Sequence, residues 1–240
     1  MRKQEAVELG SAIRACLERE REDEALGLLA PVLRSRIPFP RLESIGKALA
    51  LDDLGEVAPF LDRVAATRSE GGWVVIAASL QRYLPGRLEA VFRLARAYVV
   101  QAGVWYACDI FGERVPGTAL LLDFDHALAL LAPWRDDANP WVRRTVGVAV
   151  HYWAKRTQGE PDAFPRAQIL LRFLEPVLEE KDMRALKGIG WGLKTMGRYY
   201  PELTAQWLKA QLDQGRQPRA LMVRKAVTYL PRHLRARFDA

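Results

Sequence analysis

Cysteine and histidine are scarce in this chain of 240 residues. Cys16 and Cys108 are too few for a disulfide framework or for a cysteine-based zinc site. The three histidines, at positions 126, 151 and 233, lack the spacing of metal ligands. We therefore expect no metal centre, and we interpret Cys108 as a buried packing residue rather than a nucleophile.

Long apolar runs are also missing. The run from Val115 to Asp123 is far shorter than the ~20 residues that a membrane span needs. The charged residues from Met1 to Glu5 contain no apolar signal core. We expect a cytoplasmic, nucleoid-associated protein that does not bind membranes through a spanning helix.

The common catalytic motifs are absent. The sequence contains no phosphate-binding Gly-x-x-x-x-Gly-Lys-Ser/Thr loop, no Gly-x-Ser-x-Gly elbow and no His-Glu-x-x-His zinc motif. The glycines at 188, 190 and 192 follow no strand, so we interpret them as positions where neighbouring helices approach closely rather than as a nucleotide site.

Positive charge is concentrated towards the C-terminus. The chain carries 36 basic and 29 acidic residues, and from residue 183 onward the count is 12 against 3. This distribution favours a polyanionic partner such as nucleic acid, or else an anionic membrane surface. A solvated basic face is the alternative interpretation.

Apolar residues recur three or four positions apart almost throughout, which predicts an all-α protein. The helices are expected in pairs that recur about every 35 to 45 residues, as in an α-solenoid of HEAT-like repeats with a concave basic groove. We expect one domain over residues 1–240, with Pro31, Pro38 and Gly71-Gly72 among the helix breakers. The predicted helices are 4–19, 23–33, 41–49, 57–67, 73–84, 88–101, 105–114, 117–132, 140–156, 165–179, 182–199, 201–214 and 218–230.

Several candidate site residues share helix faces. Trp105 and Asp109 are four positions apart, and Trp191 and Lys194 are three apart, so each pair lies on one face. Electron-rich indoles attract a cation, and a carboxylate stabilises developing positive charge in a low-dielectric cleft. Surrounding basic residues would hold phosphates. This combination fits alkylated DNA, in which N3- or N7-alkylated purines are cationic.

The arrangement resembles the AlkD-like DNA alkylation repair glycosylases, which are built from HEAT-like repeats. The resemblance covers residues 100–231, whereas residues 1–100 match poorly. It rests on four ordered segments, 104–109 (VWYACD), 141–145 (WVRRT), 187–194 (KGIGWGLK) with the following Tyr200-Pro201, and 223–226 (VRKA).

The resemblance implies that Trp105, Asp109 and Trp191 are the catalytic residues and form the cleft for the sugar and phosphate of the damaged nucleotide. Asp109 would stabilise the oxocarbenium sugar and orient the attacking water, while the lesion stays stacked instead of flipping into a pocket. No cofactor is implied.

The family's tandem arginines correspond to Arg143 and Arg144, of which we favour Arg144 as the phosphate ligand. Lys194 stands where family members usually have arginine, which keeps the charge but loses the bidentate fork. The expected DNA-binding residues are Arg143, Arg144, Lys187, Lys194, Arg224 and Lys225.

The sequence therefore predicts a monomeric glycosylase that removes N7- or N3-alkylated purines from double-stranded DNA in base excision repair. Two alternatives stay open, namely a non-catalytic HEAT-repeat protein that binds bent or branched DNA and a scaffold for an acidic protein or RNA. The tryptophans expected in the core are Trp73, Trp134, Trp153 and Trp207.

Overall fold

The computed structural model describes residues 1–238, in which helices are the regular structure and no β-strand occurs. The chain divides into two compact units, Met1–Val115 and Pro116–Ala240. Both units consist of successive helix pairs, so the predicted all-α class with helical repeats is confirmed. The basic groove stays a prediction. Within the described part of the chain, no helix is long and apolar enough to cross a membrane.

The first unit is a two-layered stack of helices. Helices α1, α3, α5 and α7 pack against one another in succession, and α2, α4 and α6 pack beside them. A new pair begins about every 35 residues, as expected of a repeat architecture. The helices are α1 Lys3–Leu17, α2 Glu22–Leu33, α3 Phe39–Leu49, α4 Leu54–Ala66, α5 Glu70–Gln81, α6 Leu88–Ala102 and α7 Trp105–Gly112.

The second unit repeats this scheme. Helices α10, α12 and α14 pack in succession, while α9, α11 and α13 pack beside them. The helices are α8 Thr118–Leu122, α9 Phe124–Arg135, α10 Pro140–Thr157, α11 Phe164–Leu174, α12 Met183–Tyr199, α13 Pro201–Asp213, α14 Ala220–Val227 and α15 Arg232–Arg235. Short 3₁₀ turns occupy Pro161–Ala163, Glu175–Val177 and Ala236–Phe238.

Two predicted helix breakers lie inside helices. Pro31 falls in the last turn of α2, where the loss of one N–H donor does not end the helix. Gly71 and Gly72 lie in the first turn of α5, because the Ser69 hydroxyl accepts a hydrogen bond from the Gly72 amide (3.1 Å) and caps the helix ahead of both glycines.

The region from residue 105 to 132 also differs from the prediction. A π-helix, Glu113–Gly117, follows α7, because Pro116 has no amide hydrogen to continue the α-helical ladder. The single helix predicted for 117–132 is two helices. Asp123 separates them, and its carboxylate accepts from the His126 amide (3.4 Å) to cap α9.

Helices α10 and α12 touch through their main chains. A Cβ atom on Gly192 would lie 2.6 Å from the Gly147 carbonyl oxygen, and one on Gly147 would overlap the backbone of Gly188 and Ile189. We call Gly147, Gly188 and Gly192 the glycine seam. The prediction that glycines in 188–192 allow close helix approach is therefore confirmed for this seam.

Candidate functional site

Helix α7 presents Trp105 and Asp109 on the side that its core residues leave free. Cys108 and Phe111 are buried, and Phe111 stacks against Tyr98 with 6.0 Å between ring centroids. Trp105 is 57% exposed, whereas Asp109, one turn later, is half-buried. Because the opposite face of α7 is packed in the core, the Trp105 indole is held accessible next to the Asp109 carboxylate.

The exposure of Trp105 distinguishes it from the tryptophans expected in the core. Trp73, Trp134, Trp153 and Trp207 are all at most 9% exposed, which confirms that expectation. Exposing an indole forgoes roughly 2 kcal/mol of burial energy. Core packing therefore does not account for the position of the Trp105 indole.

In the second unit, the tandem arginines at the start of α10 have different surroundings. Arg143 forms a bidentate pair with Glu180, with Nε–Oε2 and Nη2–Oε1 distances of 2.6 and 3.2 Å. Its Nη1 also donates to the Asp137 carbonyl oxygen at 2.7 Å. All three guanidinium nitrogens are thus engaged within the protein, which makes Arg143 a link between α10 and the segment preceding α12.

The second arginine is more deeply placed. Arg144 is only 7% exposed, its stem packs against the backbone of Gly188, and its Nη1 donates to the Arg184 carbonyl oxygen at 3.2 Å. The absent Cβ of Gly188 provides the space that the stem occupies. The glycine seam therefore positions the Arg144 guanidinium beside α12.

Arg144 belongs to a group of basic side chains from three helices, comprising Arg144, Lys187, Lys194, Arg224 and Lys225. We call this group the cation cluster. The pKa of Lys225 is lowered from its ordinary value, first by burial and then by the positive charges of Lys194, Arg144, Lys187 and Arg224. Apart from Arg144, the cluster contains Lys187, Lys194, Arg224 and Lys225. Among residues 1–238, none of these four forms an ion pair with a carboxylate. These four like charges, held together without a paired carboxylate, are suited to binding a polyanion.

Trp191 lies between two lysines of the cation cluster along α12. Lys187, Trp191 and Lys194 have the spacing i, i+4, i+7 and share one helix face. The Trp191 indole stacks on the His151 ring of α10, with centroids 3.8 Å apart and planes inclined by 24°. His151 Nδ1 in turn lies 2.7 Å from the Thr195 hydroxyl, which donates to the Trp191 carbonyl oxygen. These contacts hold the indole in a defined orientation.

Tyr229 provides a second aromatic ring beside the cation cluster. It is 45% exposed, with Lys194 Nζ 4.5 Å from its ring centroid and the Arg198 guanidinium 5.4 Å from it. Cation–π contacts of this kind hold long basic side chains in place at little cost to their solvation. Lys194 is therefore oriented even without the arginine fork.

The known-family comparison agrees with this arrangement. The sequence profile described as DNA alkylation repair enzyme matches residues 49–230. The chain belongs to this family. Its role accordingly lies in the repair of alkylation damage to DNA, and it binds DNA. No curated protein and no solved structure matches the chain.

All the site residues predicted from the sequence fall within the part matched by the DNA alkylation repair family, which also takes in residues 49–99. The structure brings five of the six expected DNA-binding residues together in the cation cluster and places Arg143 in its own ion pair. Trp191 lies on the same face of α12 as the cluster's lysines, and Trp105 and Asp109 share a face of α7 in the first unit.

Sequence reasoning missed His151 and Tyr229. Helical spacing could have indicated His151, because it follows Arg144 and Gly147 at i+7 and i+4 on the side of α10 that faces α12. Tyr229 lies just beyond the end of α14, so no periodic pattern identifies it. Across the described residues, no group of three or more His, Cys, Asp or Glu side chains is arranged to hold a metal ion.

Proposed function

We propose that the protein is a DNA glycosylase that excises cationic N7- or N3-alkylpurines from duplex DNA. The observation that carries this proposal is the exposed Trp105 indole one turn from the half-buried Asp109 carboxylate, in a member of a DNA alkylation repair family.

The proposed chemistry needs little acid catalysis. An alkylated purine already carries a positive charge, so it leaves as a neutral base and the positive charge develops on the deoxyribose. Asp109 would stabilise that charge and orient the water that attacks C1′. At ~4 Å and an effective dielectric constant of ~20, opposite charges attract by about 4 kcal/mol. This corresponds to a rate factor of about 10³.

Each tryptophan would contact DNA from its own unit. Trp105 offers an indole face to a sugar that becomes cationic, and such contacts contribute roughly 0.5 to 2 kcal/mol depending on desolvation. Trp191 would contact the DNA beside the cation cluster of the second unit, with its orientation maintained by His151. Hydrolysis of the glycosidic bond consumes only water, so the proposed reaction requires no cofactor.

The cation cluster would bind the DNA backbone. Lys187 and Lys194 flank Trp191 on α12 and would contact phosphates next to the nucleotide that Trp191 touches. Arg144 would add its charge from a more buried position, and Lys194 would bind as a point charge instead of a bidentate fork. Arg143 is not included, because Glu180 already occupies its guanidinium.

The decisive experiment measures free base released from duplex DNA treated with a methylating agent, by chromatography. Wild type, Asp109→Asn and Asp125→Asn are compared. Asp125→Asn removes the same charge from an exposed position on α9 and serves as the matched control. We expect wild type and the control to release 7-methylguanine or 3-methyladenine, and Asp109→Asn to be slower by about 10³.

Duplex binding measured in parallel separates the competing functions. A folded wild-type protein that binds duplex DNA but releases no base would contradict the glycosylase proposal and favour a non-catalytic DNA-binding protein. Unchanged base release by Asp109→Asn would remove Asp109 from the mechanism. Preference for an acidic protein or RNA over duplex DNA would favour a scaffold.

A further inference from the structure

Lys225 differs from the other lysines of the cation cluster in the packing of its stem. Its stem packs on the backbone of Gly190 in α12, where any larger residue would fill the same space. The residue is half-buried, whereas Lys187 is exposed. The ammonium group therefore loses part of its hydration while keeping access to solvent. A surface lysine keeps its full hydration, and a fully buried lysine has no access to solvent.

The charges around Lys225 all have the same sign. Arg144 comes from α10, Lys187 and Lys194 come from α12, and Arg224 is its neighbour on α14. Burial and these four charges all disfavour protonation and lower the pKa of the Lys225 amine. These surroundings therefore favour the neutral amine more than water does around an exposed lysine, and the neutral amine is the nucleophilic form.

The location of this amine indicates its electrophile. Removal of a base leaves an abasic sugar, which opens to an aldehyde at C1′ and is flanked by two phosphates. The phosphates match the cations of the cluster, and an aldehyde is the group with which a neutral lysine condenses. Abasic DNA therefore presents both the charge and the reactive group that suit this cluster.

We propose that Lys225 captures abasic DNA covalently, by forming an imine with the C1′ aldehyde. The amine lone pair adds to C1′ and one nitrogen proton passes to the carbonyl oxygen, which gives a carbinolamine. The hydroxyl group then leaves as water with the second nitrogen proton, and the nitrogen lone pair forms the C1′=N bond. The C1′=N double bond replaces C1′=O, so no oxidant or reductant is consumed. The proposal rests on the proposed function only in that the cation cluster binds the DNA backbone.

The test uses reductive trapping on a duplex that contains one abasic site, prepared from uracil with a separate uracil glycosylase. Sodium borohydride reduces the imine to a stable amine, and the protein–DNA adduct is quantified after denaturing electrophoresis. Full-length wild type, Lys225→Arg and Lys209→Arg are compared. Both variants keep the positive charge, but each removes one amine, and Lys209 is an exposed lysine on α13 that lies outside the cation cluster.

We expect an adduct with wild type and Lys209→Arg, and a loss of about tenfold or more with Lys225→Arg, because a guanidinium does not form the imine. Mass spectrometry of the wild-type adduct should locate the modification at Lys225, which tests the proposal even if the variant folds poorly. No adduct with wild type, or an adduct located at another lysine, would overturn the proposal.

This experiment is independent of base excision, because the abasic site is made beforehand. A protein that traps abasic DNA but releases no methylated base would refute the glycosylase function and leave the Lys225 proposal standing. A protein that releases base but forms no adduct would refute the Lys225 proposal and leave the glycosylase function standing. Duplex affinity of each variant shows whether the cluster binds DNA at all.

Discussion

Substitution of Gly147 by alanine tests whether the glycine seam determines the packing of α10 and α12. Alanine in a helix is ordinarily more stable than glycine by up to about 1 kcal/mol, because glycine has more backbone freedom to lose on folding. At Gly147, however, the new Cβ would overlap the main chain of Gly188 and Ile189. Main-chain atoms of a packed helix cannot rotate away as a side chain can.

The two effects have opposite signs and different sizes. Overpacking of a well-packed core costs about 1 to 3 kcal/mol, and contact with rigid backbone belongs at the upper end or beyond. After subtraction of the propensity gain, we expect Gly147→Ala to lower the free energy of unfolding by about 2 kcal/mol. Gly27 is the matched control, because it lies inside α2 and a Cβ there would meet no atom within 4 Å.

The assay is urea unfolding followed by far-ultraviolet circular dichroism for wild type, Gly147→Ala and Gly27→Ala. We expect Gly27→Ala to be as stable as wild type or more stable by up to about 1 kcal/mol, and Gly147→Ala to be clearly less stable. Equal stabilisation by the two substitutions would refute the inference that main-chain contact sets the distance between α10 and α12.

Two further predictions concern charge. The pKa of Glu180 is lowered overall, since hydrogen bonds from Arg143 and the Asp182 amide outweigh the opposing effect of burial. The stabilisation of the fold by ionised Glu180 is therefore present above pH 4.5, the ordinary pKa, and is lost as the pH falls below that value. Glu180→Gln should reduce the dependence of the unfolding midpoint on pH in this acidic range. An unchanged dependence would contradict the assignment. If Lys194 contacts one phosphate, Lys194→Ala should reduce the slope of log affinity for duplex DNA against log salt by about 0.9. Lys209→Ala, on α13, should leave that slope unchanged, and equal effects of the two would exclude a specific role for Lys194.

Much of the helical architecture could be predicted from the sequence, because apolar spacing and prolines near helix starts depend only on residues that are close in the chain. Pro140, Pro165 and Pro201 each occupy one of the first two positions of a helix, as predicted. Two of the failures occur where a cap outweighs the pattern. Asp123 splits a continuous apolar run, and Ser69 starts α5 before a glycine pair that would otherwise end a helix.

Prediction of the site was limited by long-range contacts. The Trp105–Asp109 face follows from helix periodicity alone, because its two members are one turn apart. By contrast, helix periodicity does not show how the surroundings of Arg143 and Arg144 differ. Their difference depends on Glu180, which lies 37 positions away and pairs with Arg143 only in the folded chain. The stacking of His151 on Trp191 likewise depends on the crossing of two helices.

The glycine seam has a consequence for how this site could change during evolution. Main-chain contact fixes the separation of α10 and α12. Side chains elsewhere on the two helices therefore do not determine the distance between them. Lys187, Trp191 and Lys194 can therefore be exchanged without moving the scaffold, whereas Gly147 and Gly192 cannot accept even a methyl group without a shift of one helix. Ligand preference can diverge rapidly on such a scaffold while its geometry persists.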